Sequence, residues 1–300
     1  MRRVASFDAG GTFLKFGIMS GDGRIGDAAA VPTPATLEAF IDAVAKLLPD
    51  EDMPVAIAVA GVAGRGTGLV KSANIPAIDG VALGRELESR LKRKVIVGND
   101  ADCFALAEAT FGVGRGKRIV FGIILGTGVG GGLVFNGEIV HGAGGLGGEW
   151  GHGPIVRRRA GDPPVDIPRF ACGCGQEGCV DTVGGARGIE RLHKAVTGEA
   201  LDSRAIMTNW LNGEAKARHT LTVYLDLIAE PLALIVNTLD ADIVPVGGGL
   251  GSVPELIVAI DQAVRRRILR KAPEGLIVPG ALGREAGLIG AGVLALKEAA

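Results

Sequence analysis

This chain of 300 residues has few aromatic residues and almost no net charge. It has one Tyr and two Trp, and 32 basic against 33 acidic residues give a formal net charge of −1. Few aromatic side chains provide few platforms for stacking, which argues against a lectin-like or single-strand-binding surface. A balanced charge gives no global attraction to nucleic acid or to a membrane. We therefore expect neither nucleic acid nor a membrane as a partner.

No signal peptide or membrane-spanning helix is expected from the pattern. The apolar run after Met1-Arg-Arg is interrupted by Asp8, so it lacks the apolar core of a signal peptide. Residues 119–137 carry no charge over a length that can cross a bilayer, but seven of them are glycines, which destabilise a helix interior. Two short strands around a glycine loop are the better prediction for this stretch.

Glycine, by contrast, is abundant, with 49 residues, about twice the usual frequency. Strand-like and helix-like segments alternate in the order βββαβαβα up to about residue 111, which predicts a largely parallel sheet covered by helices. A strand–loop–strand pattern restarts at residue 119. The repeat predicts an α/β protein with a duplicated fold and a cleft between two domains. We expect residues 1–115 plus 286–300 in the smaller domain and residues 116–285 in the larger one.

Four helices follow from capping and periodicity. Asp79 is predicted to cap a helix that runs to about Arg93. Residues 182–196 and residues 253–269 are each predicted to form one helix. The last helix is expected over residues 285–299.

A first glycine loop (residues 8–12) joins two predicted strands in the motif Asp8-Ala-Gly10-Gly11-Thr12-Phe-Leu-Lys15. Glycines let the backbone approach a polyphosphate closely, and the turn amides and the Thr12 hydroxyl can donate hydrogen bonds to its oxygens. Asp8 can hold an accompanying Mg²⁺ through water, because that ion keeps most of its hydration. The Gly-Lys-Ser/Thr ending of a P-loop is missing. Taken alone, the glycine pair is equally compatible with a simple hairpin turn.

A second glycine loop (residues 126–132) occupies the matching position in the second half, in the motif Gly126-Thr127-Gly128-Val-Gly-Gly-Gly. Two phosphate-binding hairpins that face each other across a cleft would form a nucleotide clamp. Gly248 and Gly249, in a glycine triplet between a strand and a helix, would let the backbone lie against adenosine. Strand–helix turns are often rich in glycine, so the triplet by itself is weak support.

Asn99-Asp100 follows a predicted buried strand and opens a helix. Ligands of open α/β sheets bind at the carboxyl ends of the strands, so the Asp100 carboxylate is a candidate base for phosphoryl transfer. The alternative is that Asp100 is simply the N-cap of the helix.

Three of the four cysteines lie within eight positions, twenty residues after a histidine flanked by glycines. The set of His152, Cys172, Cys174 and Cys179 supplies the sulfur and nitrogen ligands of a closed tetrahedral zinc site. A disulfide between Cys172 and Cys174 would be strained, and reduced thiols fit a cytoplasmic protein. Free thiols without metal are the alternative. The remaining cysteine, Cys103, is predicted to be a small buried apolar residue.

Glu149 stands three residues before His152, so metal, imidazole and carboxylate are expected to converge on one pocket.

Together these segments resemble the ROK (repressor, open reading frame, kinase) sugar kinases of the actin and hexokinase superfold. The similarity runs nearly end to end and rests on the two glycine loops, Gly98-Asn-Asp-Ala101, Glu149-Trp-Gly-His152 and the cysteine cluster. Residues 212–256 look most like bacterial N-acetylglucosamine kinases. The resemblance implies a homodimer that transfers phosphate from ATP, with Mg²⁺, to the C6 hydroxyl of a hexose or N-acetylhexosamine. It also implies a structural Zn²⁺.

Site roles follow from the same resemblance. Asp100 would be the base, Asn99, Glu149 and His152 would bind sugar hydroxyls, and Thr12 and Thr127 would contact phosphates. His152 would bind zinc through one ring nitrogen and the sugar through the other.

The family usually has Glu after the last zinc cysteine, where this chain has Asp181. Asp181 is expected at the sugar site, but its carboxylate is one methylene shorter and cannot make the same contact without backbone movement. N-acetylglucosamine or a close N-acetylhexosamine is the expected substrate, and glucose and fructose are the alternatives.

The family also contains sugar-responsive repressors, which carry a helix-turn-helix ahead of the first phosphate strand. Three residues precede Val4 here, which favours the kinase.

Overall fold

The computed structural model describes residues 3–64, 66–154, 156–273 and 275–298. Within these ranges the chain divides into two compact units. The first contains the described residues of ranges 1–116, 132–148 and 281–300, and the second contains those of ranges 117–131 and 149–280.

The described residues up to residue 116 form seven strands and three α-helices. They are β1 (Arg3–Ala9), β2 (Phe13–Ser20), β3 (Ile25–Pro32), α1 (Leu37–Leu47), β4 (Val55–Val59), β5 (Val62–Ala63), β6 (Val70–Lys71), α2 (Leu83–Leu91), β7 (Val95–Asn99) and α3 (Asp100–Thr110).

The described residues after residue 116 add seven strands and seven α-helices. They are β8 (Ile119–Leu125), β9 (Val129–Phe135), β10 (Glu138–Ile139), β11 (Arg159–Ala160), β12 (Val165–Asp166), α4 (Asp181–Gly184), α5 (Ala186–Thr197), α6 (Ser203–Leu211), α7 (Ala215–Leu239), β13 (Val244–Gly247), α8 (Gly248–Gly251), α9 (Pro254–Arg265), β14 (Ile277–Pro279) and α10 (Ala286–Glu298).

The first sheet has the strand order β3-β2-β1-β4-β7, with β1, β4 and β7 parallel. All five residues of β4 are buried, as expected for a central parallel strand covered on both faces. α10 returns from the end of the chain to pack on α3, β1 and β4. The parallel arrangement brings the carboxyl ends of β1 and β7 to the same edge of this sheet. That edge carries Asp8 and Asn99.

The second sheet has the order β10-β9-β8-β13-β14, with β8, β13 and β14 parallel. In the second unit, α5, α6 and α9 pack on the long helix α7. α7 is the one helix in the described ranges that is long and apolar enough to cross a membrane. Of its most apolar stretch of 18 residues, 61% is buried inside the protein. The predicted α/β class, with two sheets and their helices, is confirmed.

Three predicted helix boundaries are wrong, each for a local reason. Asp79 does not cap a helix: its carboxylate accepts a hydrogen bond from the Ser72 N–H at 2.9 Å, and α2 begins later. The helix expected over residues 182–196 is two helices, because Gly185 has an extended backbone between α4 and α5. The helix expected to reach residue 269 ends as α9 at residue 265. In the predicted last helix, residue 299 lies outside the described residues.

Candidate active site

The four predicted metal ligands converge in the second unit. One ligand atom from each of His152, Cys172, Cys174 and Cys179 lies within 4.8 Å of the others. Sγ of Cys174 is 3.7 Å from Sγ of Cys179, and Sγ of Cys172 is 3.5 Å from Nδ1 of His152. A tetrahedral zinc ion with bonds of about 2.0–2.3 Å has ligand–ligand edges of about 3.5–3.8 Å. The donor set and these two distances therefore fit zinc.

The thiols of this cluster differ in acidity. Burial raises the pKa of Cys172 to about 12 and also raises the pKa of Cys179. A hydrogen bond from the Gln176 backbone lowers the pKa of Cys174 to about 7. Zinc binds thiolates, so its binding would displace protons from Cys172 and Cys179, the two less acidic cysteines. All four cysteines are free thiols, and Cys103 is fully buried in the first unit, as predicted.

The imidazole of His152 lies between the cluster and Glu149. Its Nδ1 faces Cys172, and its Nε2 is 3.8 Å from Oε2 of Glu149. Burial raises the pKa of Glu149, with the negative charge of Asp181 adding to the increase and His152 opposing it. A cation on Nδ1 leaves Nε2 as an N–H donor. An N–H donor beside a carboxylate is suited to binding the hydroxyl groups of a sugar.

The second glycine loop directs two amides away from α5. The N–H of Ala186 donates to the Gly126 carbonyl at 2.7 Å, and the N–H of Arg187 donates to the Thr127 carbonyl at 3.4 Å. In a trans peptide the C=O and the following N–H point in opposite directions. The amides of Thr127 and Gly128 therefore point away from α5, an arrangement suited to an anionic oxygen.

The segment that carries Glu149 and His152 also packs on this loop, which sequence reasoning missed. The indole Nε1 of Trp150 donates to the Gly130 carbonyl at 2.9 Å. A Cβ at Gly151 would lie 2.6 Å from the Val129 carbonyl oxygen. The glycine after Trp150 was the available signal, since it allows this close approach of two backbones.

The first glycine loop is held by Thr33, which was also not predicted. The Thr33 hydroxyl donates to the Gly10 carbonyl at 2.6 Å, and its N–H donates to the Thr12 carbonyl at 3.0 Å. By the same geometry of the trans peptide, the amides of Gly11 and Phe13 point away from Thr33. The Phe13 carbonyl accepts the Gly10 N–H at 3.0 Å, so Phe13 faces the hairpin, and the Gly11 amide is the candidate donor of this loop.

Asp8 is placed beside Lys15 and the start of α10. Nζ of Lys15 is 2.7 Å from Oδ2 of Asp8. A Cβ at Gly287, the second residue of α10, would lie 2.8 Å from Cγ of Asp8. Gly287 therefore lets the N-terminal turn of α10, with its partial positive charge, come close to this carboxylate.

Asn99, and not Asp100, is the N-cap of α3. Its Oδ1 accepts from the N–H groups of Ala101 at 2.8 Å and Asp102 at 3.0 Å, and its Nδ2 donates to the Gly61 carbonyl at 3.0 Å. Asp100 is the first residue of the helix, where its Oδ1 also receives the Ala101 N–H at 2.9 Å. The N-cap, which was the alternative role for Asp100, is thus supplied by Asn99.

Gly248 and Gly249 of the glycine triplet differ in the space beside their backbones. Gly248 has φ +85° and its Cβ would lie 2.5 Å from the Leu125 backbone, so a side chain there is strained and has no room. A Cβ at Gly249 would meet nothing within 4 Å. The backbone at Gly249 therefore has open space beside it, as a surface for a flat ring requires.

Comparison with known proteins gives one consistent result. The model of the ROK family matches residues 4–298. An N-acetyl-D-glucosamine kinase of Escherichia coli O127:H6 is 34% identical over 299 residues, which cover 97% of this chain and 99% of that kinase.

Solved structures agree over the same length. A ROK hexokinase from Thermus thermophilus has a TM-score of 0.85 and 29% identity, with 99% of each chain covered. A ROK family glucokinase from Streptomyces griseus, in complex with glucose and AMPPNP, has a TM-score of 0.80 and 27% identity, covering 98% of this chain and 99% of that one. The predicted actin/hexokinase-like fold is confirmed by these similarities.

Proposed function

Because the chain belongs to the ROK family, we propose that it is a kinase that transfers the γ-phosphoryl group of ATP to the C6 hydroxyl of N-acetylglucosamine or a close N-acetylhexosamine. The observation that carries the proposal is the full-length similarity to an N-acetyl-D-glucosamine kinase, at 34% identity. The placement of Glu149 and His152 beside the cysteine cluster supports it, since these residues suit a polyhydroxylated substrate.

In this reaction Asp100 accepts the proton of the C6 hydroxyl. The bond between that oxygen and the γ-phosphorus forms, the bond from the γ-phosphorus to the bridging oxygen breaks, and ADP leaves. The alcohol proton leaves late in a loose transition state, so orientation by Asp100 matters more than its basicity. Asn99, Glu149 and His152 are the proposed sugar-binding residues. Asp181 was expected among them, and one of its carboxylate oxygens accepts a hydrogen bond from the Val129 N–H at 2.8 Å.

ATP is assigned to the two glycine loops and the glycine triplet. Donors to phosphate oxygens come from the outward amides of both loops and from the hydroxyls of Thr12 and Thr127. Gly248 and Gly249 are assigned to adenosine. Asp8 and Lys15 are assigned to the phosphate end, where Mg²⁺ supplies charge neutralisation when bound. Zn²⁺, when bound to His152 and the three cysteines, would fix the imidazole.

A panel of hexoses tests the substrate. Purified protein is incubated with Mg²⁺ and ATP and with N-acetylglucosamine, N-acetylmannosamine, glucose or fructose, and ADP release is measured. We expect the highest kcat/KM for an N-acetylhexosamine. Phosphorus NMR of the product should show the phosphate on C6. A higher kcat/KM for glucose would support the alternative of a glucokinase, which the similarity to the Streptomyces griseus enzyme favours. No transfer to any hexose would overturn the kinase.

The same proposal includes a cytoplasmic homodimer that binds neither nucleic acid nor membrane. The four free thiols support a reducing compartment. Light scattering coupled to size-exclusion chromatography measures the subunit number, and a mobility shift with duplex DNA at physiological salt tests for a repressor.

A further inference from the structure

The carboxylate of Asp181 is bonded to the second glycine loop. Its Oδ1 accepts a hydrogen bond from the N–H of Val129 at 2.8 Å. A Cβ at Gly128 would lie 2.4 Å from the same oxygen, so a larger residue at 128 would collide with the carboxylate. Asp181 and Gly128 therefore fit each other, and the contact pins the loop at the start of β9.

The backbone of Asp181 is anchored to the segments that supply the metal ligands. Asp181 is two residues after Cys179, and its N–H donates to the carbonyl of Gly151, the neighbour of His152, at 2.9 Å. Its second carboxylate oxygen, Oδ2, lies 4.0 Å from Sγ of Cys172. One residue thus connects the cysteine cluster to the loop.

The following residues hold the loop from the same side. A Cβ at Gly185 would lie 2.6 Å from the backbone of Gly128, so α4 and α5 approach the loop as closely as glycine permits. The buried hydroxyl of Tyr224 donates to the Gly184 carbonyl at 2.8 Å and fixes the end of α4. The position of α4 therefore sets the position of the loop.

We propose that Asp181 is a positioning residue for ATP. Its carboxylate accepts the hydrogen bond from the Val129 N–H and so keeps the amides of Thr127 and Gly128 in place. Because Asp181 is the first residue of α4, it also connects the position of the cysteine cluster to the nucleotide site. This role rests on the proposed function, because it assumes that the second glycine loop binds phosphate. The competing role is direct binding of the sugar by Asp181.

Two substitutions at this position separate the roles. Asp181→Ala removes the acceptor of the Val129 N–H. Loss of a hydrogen bond to a charged group predicts an increase of about tenfold in the KM for ATP. The KM for sugar should change less than about twofold. Asp181→Asn retains an acceptor oxygen for Val129 and is expected to recover most of the ATP affinity. Asp166→Ala is the matched control, because Asp166 is an exposed aspartate of the same unit.

Gly128→Ala provides an independent measurement with Asp181 in place. Its methyl group would push against the carboxylate, so it should also raise the KM for ATP. In the Asp181→Ala background that collision is absent, and the added effect of Gly128→Ala should be smaller than in the wild type. Strictly additive effects of the two changes on ATP affinity would contradict the proposed contact.

Binding of AMPPNP with Mg²⁺, measured by calorimetry without sugar, distinguishes failure of this inference from failure of the proposed function. Wild type that binds AMPPNP but phosphorylates no hexose would overturn the kinase, while a weaker Kd in Asp181→Ala would still support the positioning role. An unchanged nucleotide Kd together with a raised sugar KM in Asp181→Ala would assign Asp181 to the sugar instead. Wild type that binds no nucleotide would overturn both.

Discussion

His152 and Cys172 are arranged so that the imidazole has a fixed direction. Nδ1 of His152 lies 3.5 Å from Sγ of Cys172, while Nε2 lies 3.8 Å from the Glu149 carboxylate. The nitrogen that faces the cysteines is thereby separated from the nitrogen that can face a substrate. This geometry supports the proposal that the cluster of His152 and the three cysteines belongs to the sugar site, and the contribution of the cluster can be measured.

Replacing Cys174 with serine should release zinc and weaken sugar binding. The hydroxyl of serine is a poor zinc ligand, and without the metal the Nδ1 of His152 loses its partner. We expect the bound zinc to fall from one per chain toward zero, and the sugar KM to rise more than the ATP KM, since His152 is itself a ligand. Metal analysis by mass spectrometry and steady-state kinetics measure the two quantities.

The control for this change is Cys103→Ala, because Cys103 is fully buried in the first unit and is not a member of the cluster. Its zinc content should equal that of the wild type. An unchanged sugar KM in zinc-free Cys174→Ser would contradict the link between metal and sugar.

Replacing Asp100 with asparagine should separate binding from catalysis. The amide cannot accept the C6 proton, so kcat should fall by about two to four orders of magnitude, while the Kd for sugar, measured by calorimetry, should change less than about threefold. Asp52→Asn, at an exposed aspartate of the same unit, is the matched control. A comparable loss of sugar affinity and turnover would instead indicate a structural role for Asp100.

Thr33→Val should weaken ATP binding through the first glycine loop. Valine keeps the shape of threonine but removes the hydroxyl that donates to the Gly10 carbonyl at 2.6 Å. Loss of one such bond, about 1 kcal/mol, predicts a rise of roughly fivefold in the KM for ATP. Kinetics with Thr222→Val, at an exposed threonine of α7, give the comparison. Equal ATP KM values in the two variants would remove Thr33 from the nucleotide site.

Stability should decrease as the pH falls below about 6.5, in part because of His193. This side chain is fully buried, its Nδ1 is 2.7 Å from the Thr220 hydroxyl, and its Nε2 has no partner among the described residues. Burial lowers the pKa of His193, against the opposing effect of Glu199 and Glu214. The unfolded chain therefore binds a proton at pH values where the folded chain does not, and the free energy of unfolding rises with pH across that window.

Urea unfolding between pH 5 and 7.5 measures this dependence. In His193→Asn the slope of the free energy of unfolding against pH should be smaller than in the wild type. His219→Asn, at a partly exposed histidine of α7, should keep the wild-type slope. Identical slopes in wild type and His193→Asn would show that this histidine is not the cause.

Much of the site was predictable because its residues are close in sequence. The spacing of Cys172, Cys174 and Cys179 predicted the cluster, and the structure brings these residues together with His152. Thr33, Trp150 and Gly287 were missed because their partners lie in other elements. A single threonine or glycine in a sequence carries no sign of the distant carbonyl or carboxylate that it will meet.

The capping residues show the same limit at shorter range. The pair Asn99-Asp100 predicted a helix start, but only the backbone geometry assigns the cap to Asn99. Asp79 resembles a cap in sequence, yet its carboxylate binds the N–H of Ser72 seven residues before it. Several turn conformations are available to such residues, and packing selects one.

The sequence by itself determined the α/β class, the two glycine loops, the cluster of one histidine and three cysteines, and the resemblance to ROK kinases, because each depends on residue types at short spacing. Tertiary structure alone decided which way those groups point. It directs Nδ1 of His152 to the cysteines, turns the loop amides away from α5 and Thr33, and bonds Asp181 to Val129 across 52 positions of the chain. The physical reason is that hydrogen-bond direction depends on the packing of distant elements, which no local spacing specifies.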